Sequence, residues 1–108
     1  MASAAANPSS GETPLETAWT LSRTGRSDAA LVLATSVNLQ ARASQDAALE
    51  CRSATDIAWY CLQIGRAGNG LDYARRALDL AGRLGDAAAE ARARTLKAWL
   101  LTEIGRME

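Results

Sequence analysis

Arg52, Thr55 and Trp59 stand at i, i+3 and i+7, and Arg92, Thr95 and Trp99 repeat the pattern. On an α-helix this spacing puts each set of side chains on one face. The chemistry such a face offers is recognition. A guanidinium holds a carboxylate in bidentate fashion or stacks on an aromatic plane, and Trp and Arg anchor interfaces more often than other residues do. Trp19 belongs to the same series, with Leu15, Ser22 and Arg23 around it. Leu62 and Gln63 extend the face beyond Trp59, as Thr102 and Glu103 do beyond Trp99. The same residues also suit packing, each indole covering a neighbouring helix while its N–H finds a polar partner. The two roles are compatible.

Catalysis finds no comparable pattern. Histidine is absent, which removes the commonest general base and metal ligand. Cys51 and Cys61 lie ten residues apart, about 15 Å of rise if they share a helix. That is too far for a disulfide, and no CxxC pair suggests zinc. Both cysteines read as small, semi-buried residues of a reducing compartment. The stretch GRAGNG (65–70) does not match G-x-G-x-x-G and follows no strand. It reads as a helix–helix loop that needs positive φ. Asp72 and Asp79 read as surface carboxylates paired with Arg75, Arg76 or Arg83. No nucleophile–base pair emerges, so no catalytic residue, cofactor or metal is assigned.

Composition narrows the partner class. Lys+Arg and Asp+Glu are 12 each, so the charge pattern of a nucleic-acid or anionic-membrane binder is missing. No stretch approaches a transmembrane span. Residues 1–13 are rich in Ala, Ser and Pro without the basic and apolar regions of a secretory signal. They are expected to form a disordered lead-in, and the expected location is the cytoplasm.

The elements that position the Trp–Arg face are repeats. AWTLSRTGR (18–26), AWYCLQIGR (58–66) and AWLLTEIGR (98–106) recur at a step of 40 residues. QDAALECRSATDIAW (45–59) likewise matches GDAAAEARARTLKAW (85–99). The units run over about 14–44, 45–84 and 85–108, and each of the first two reads as two helices. Thr13, Pro14 and Glu16 form a capping box with Pro at the first helical position. Gly25 closes this helix, and a second runs from Ser27 or Asp28 to about Ser44. Asp46 caps the third helix, which ends at Gly65. Asn69 is expected to cap the fourth after the 66–70 loop, and Gly85 to end it. Asp86 caps the fifth, expected to end at Gly105. No segment alternates as a strand does, so the fold is all-α, with about five helices in antiparallel pairs.

This arrangement resembles the tetratricopeptide repeat over residues 14–108. The small positions of the first helix fall on Ala18, Ala58 and Ala98, followed by Leu21, Cys61 and Leu101. Those of the second helix fall on Ala30 and Gly70, then Val37 and Ala77. The usual repeat is about 34 residues, and here the step is longer and the inter-repeat proline is missing. The run YARRALDLAGRLGD (73–86) is similar to the long-repeat arrays of bacterial regulatory proteins, including those ahead of GGDEF diguanylate cyclase domains. The resemblance implies a TPR-like α-solenoid that binds a protein or peptide partner. It implies a concave groove carrying Trp19, Arg52, Thr55, Trp59, Arg92, Thr95 and Trp99.

The third unit stops after its first helix. An N-terminal piece of a larger signalling protein is therefore expected. Leu96, Leu100, Leu101 and Ile104 are expected to face the missing partner helix, which raises self-association as the alternative function.

Overall fold

The computed structural model describes residues 13–107. These form five helices and no strand: α1 (Pro14–Arg23), α2 (Ser27–Ala43), α3 (Ala47–Gln63), α4 (Ala67–Leu84) and α5 (Ala87–Met107). The proposed lead-in lies outside the described residues except for Thr13, which caps α1. The Thr13 N–H donates to Glu16 Oε1 at 2.7 Å, and the Glu16 N–H donates to Thr13 Oγ1 at 3.2 Å. Asp46 Oδ1 accepts from the Leu49 N–H at 3.1 Å, and Asp86 Oδ1 from the Ala89 N–H at 3.0 Å. These carboxylates satisfy amide donors that a helix N-terminus leaves without partners. Gly25, Gly65 and Gly85 turn the chain with φ of 88°, 79° and 67°. Gln45 holds the same left-handed turn at φ 57°, forty residues before Gly85, at the steric cost a side chain incurs there.

Two boundaries differ from the sequence expectation. The segment 66–70 is not a loop, and Asn69 is not a cap: α4 begins at Ala67. The forty-residue register carries the start of α2 at Ser27 onto Ala67, and Arg66 stands before α4 as Arg26 does before α2. Gly68 and Gly70 are thus helical, and only Gly65 has positive φ in this stretch. Gly105 does not end α5, which continues to Met107. Gly25 and Gly65 sit where the chain doubles back into the next helix, whereas no helix follows α5 among the described residues.

Consecutive helices pack against each other. In addition α1 touches α3 and α3 touches α5, while α2 and α4 do not meet. The odd-numbered helices therefore form one layer and the even-numbered helices splay on the other, in a body of 54 × 33 × 23 Å. Small side chains set the spacing. Ala18, Ala30, Ala34, Ala54, Ala58, Ala74, Ala77, Ala81 and Ala93 are fully buried. At Gly70 a Cβ would stand 2.8 Å from Leu100 Cδ2 and 2.9 Å from Cys61 Cβ. Only hydrogen fits there.

One polar network crosses the layers. Asn38 and Glu50 are buried. Asn38 Nδ2 donates to Ser53 Oγ at 3.0 Å and to the Glu50 carbonyl at 3.3 Å. Arg76 Nε donates to Glu50 Oε2 at 2.8 Å. Asp79 pairs with Arg83 at 2.9 Å and Arg76 at 3.7 Å, as its spacing predicts. Asp72 and Arg75 form no ion pair among the described residues.

The end of the stack is more specific than expected. Cys51, Ala54, Ala58 and Cys61 are all buried, with Ala54 and Ala58 at no exposure. Their counterparts forty residues on, Ala91, Arg94, Ala98 and Leu101, are all exposed. Leu96 and Leu100 are not on that open face; they are buried with Ala58, Ala67, Leu71 and Ala74, and Ile104 packs on the same cluster. They lie on a neighbouring helix face that points back at α3 and α4.

Glycines in the first turn of α4 give an internal comparison. Gly70→Ala should cost about 1–3 kcal/mol through overpacking. Gly68→Ala, with nothing within 4 Å of its Cβ, should stabilise by about 0.5–1 kcal/mol. Urea unfolding of both variants checks the difference in sign.

Candidate functional site

The odd-numbered layer carries a groove of about 410 Å³ bounded by Trp19, Thr55, Asp56, Trp59, Ala91, Arg92, Thr95, Leu96 and Trp99. Each odd-numbered helix contributes to it because the forty-residue step returns the same helical register. The Trp59 and Trp99 rings pack with centroids 6.0 Å apart and planes tilted by 53°, a favourable aromatic geometry. Trp59 is half-buried, while Trp19 and Trp99 are 45% and 50% exposed. The tryptophans therefore serve packing at Trp59 and leave large aromatic surface open at the other two. They do not form one continuous stack: among the described residues only Trp59 and Trp99 make a ring pair.

Six of the seven residues expected at the site line this groove. Arg52 does not; it lies a turn nearer the N-terminus of α3. There it borders a second cavity of about 380 Å³ with Ala48, Leu84 and Asp86. Thr55, Asp56 and Arg92 border both cavities, which lie side by side along α3 and α5. Thr55 and Thr95 donate to the carbonyls of Cys51 and Ala91 at 2.9 and 3.0 Å. Their hydroxyl protons are thus used within their own helices, and their oxygens still accept. From α1 only Trp19 reaches the groove. Leu15 is buried against α2 and α3 instead, and Ser22 bonds Ser27 across the turn at 2.9 Å.

Sequence reasoning missed Asp56, which is central to the site. Its carboxyl is pushed up to about 6 by burial, against the pull of Arg52 and Arg92. One signal was available: its counterparts at the forty-residue step are Glu16 and Leu96, so a charge stands where the next unit places a buried leucine. Behind it Tyr60 is fully buried, and its hydroxyl has no hydrogen-bond partner among the described residues. Burial, reinforced by Asp56, pushes that phenol up to about 12.

The two cysteines lie away from the groove lining. Cys51 and Cys61 are buried free thiols, and burial raises the pKa of each. Cys51 Sγ donates to the Ala77 carbonyl at 3.4 Å. No cluster of three or more His, Cys, Asp or Glu suited to a metal occurs among the described residues. No described helix is long and apolar enough to cross a membrane. No protein-family model, curated protein or solved structure matches the chain.

The Asp56 shift fixes a sign for stability. An acid whose folded pKa is raised binds its proton more tightly when folded, so stability falls as pH climbs from about 3.8 through about 6. Asp56→Asn should therefore raise Tm at pH 7.5, and the gain should shrink towards pH 4. An equal gain at both values would show that the carboxylate carries no burial penalty.

Proposed function

We propose that the chain is a tetratricopeptide-like helical-repeat module that binds protein through its odd-numbered layer. The observation that carries this reading is the groove itself. Six side chains predicted to share one surface line a single apolar depression, with Trp19 and Trp99 about half exposed. Exposed Trp is costly to leave facing water and is the commonest anchor of a bound partner. The two-layer stacking of first and second helices supports the repeat reading. The long-repeat resemblance supports a role in bacterial cytoplasmic signalling, with a partner segment relaying its state to an effector domain. Recognition, not turnover, is the chemistry that Trp, Thr, Arg and one carboxylate supply here.

Peptides selected by display against the wild-type chain test this. They should lose about tenfold or more in affinity on Trp19→Ala or Trp99→Ala, as hot-spot truncations do. Both side chains are half-exposed, so the variants should fold. Selected peptides that bind all three proteins equally would place recognition elsewhere.

A second reading, self-association, has its own observation. The seam Ala91, Arg94, Ala98 and Leu101 is exposed on α5, whereas its counterpart on α3 is packed against α4. Arg94 interrupts the seam, and a single helix pair buries less than the roughly 1,200 Å² of a stable interface. Light scattering over a concentration series should therefore give the mass of one chain up to about 100 μM, the weak range of small interfaces. A dimer at low micromolar concentration that Leu101→Asp dissolves would make pairing through α5 the leading function.

A further inference from the structure

Among the described residues, Asp56 is the one carboxylate lining the Trp groove. It forms no ion pair with any described residue, although Arg52 and Arg92 are close enough to act on it electrostatically. The contrast with Glu50 is informative. Glu50 is also removed from water, and Arg76 meets it at 2.8 Å. Asp56 has been partly desolvated by the fold without receiving such a partner. It projects from α3 among Trp19, Trp59, Trp99 and Leu96.

We infer that the groove takes a basic side chain of the bound partner, arginine above lysine, with its stem on the tryptophans and its cation on Asp56. This rests on the groove reading given above. Three features favour a cation over an anion. Trp faces attract cations, and a guanidinium plane also stacks on them. The short Asp56 side chain is already partly dehydrated, so pairing it recovers a burial penalty that folding has incurred. Arg52 and Arg92 are long and exposed, so an anion meeting them gains only what a solvated surface pair gains. Arg92 borders the same groove and competes with the incoming cation.

The probe is N-acetyl-arginine N-methylamide, with the corresponding glutamate compound as its opposite. Binding is read from the indole N–H resonances of Trp19, Trp59 and Trp99. The arginine probe should shift these signals saturably at pH 7.5. Its affinity should fall about tenfold at pH 5, where a carboxyl titrating at about 6 is mostly protonated. The groups facing that carboxyl are Arg52, Arg92 and Tyr60, and burial pushes the Tyr60 phenol up to about 12, away from this window. Asp56→Asn should remove the response, and Arg92→Ala should tighten binding about two- to fivefold by removing a partly screened like charge. Binding of the glutamate probe alone, or arginine binding indifferent to Asp56→Asn and to pH, overturns the inference and leaves the groove standing. If neither probe shifts the indoles, the inference falls. The display-selected peptides then decide the groove separately, through their response to Trp99→Ala.

Discussion

The contact on which this molecule depends is the approach of α3 to α4. Cys51, Ala54, Ala58 and Cys61 form a seam with no large side chain, and α4 answers it with Gly70, Ala74, Ala77 and Ala81. At Gly70 the neighbouring atoms leave no room for a methyl group. Close backbone approach gains dispersion contacts along the whole helix pair. It also limits what the core can hold. With spacing fixed by alanine, the interior accommodates Tyr60 and Ile57 as its largest fully buried residues. The three tryptophans do not fit between the layers. They collect on the outer surface of the odd-numbered layer, where α1, α3 and α5 leave a depression. The Trp-lined groove is thus a consequence of the small-residue core.

The same logic explains how α5 differs from α3. The repeat places equivalent residues in equivalent register, but burial depends on what packs opposite. Ala54 has no exposure, and its counterpart Arg94 reaches water and pairs with Glu90 at 3.3 Å. The exposed seam of α5 keeps alanine at 91 and 98 but breaks its apolar continuity with an arginine. A charge within an otherwise apolar stripe opposes indiscriminate helix pairing, because burying it without a partner is costly.

Much of this was legible from the residues alone. Helices were marked by chemistry that acts locally: the Thr13–Glu16 box, the Asp46 and Asp86 caps, and glycines at left-handed turns. The forty-residue step then placed six groove residues together, because a constant step preserves helical phase. The errors came where local chemistry and tertiary packing disagree. Glycine and asparagine at 68–70 look like a loop, yet Gly70 is glycine because another helix crosses it, which one segment cannot reveal. Leu96 and Leu100 were assigned to the open face because apolar residues four apart mark a stripe without saying which neighbour it faces. Asp56, Glu50 and Asn38 were invisible as buried polar groups. Nothing in their immediate sequence signals desolvation, which depends on residues from other helices.

Glu50 and Asp56 sit on the same helix, six residues apart, and their fates show how the two sides of α3 divide the work. Glu50 faces the even-numbered layer, where Arg76 and the more distant Arg42 answer it at 2.8 and 4.0 Å. A buried carboxylate so paired ties α2, α3 and α4 to one register, because a slip would strand the charge. Asp56 faces the other way and forms no ion pair with any described residue. Its burial opposes ionisation near neutral pH, a cost that packing alone would have removed with a leucine, as at position 96. An internal ion pair spends its attraction on the fold, whereas an unpaired carboxylate beside exposed aromatic rings keeps that attraction available to a ligand. The two carboxylates thus divide α3 into a side tied to the fold by an ion pair and a side whose carboxylate pairs with no described residue.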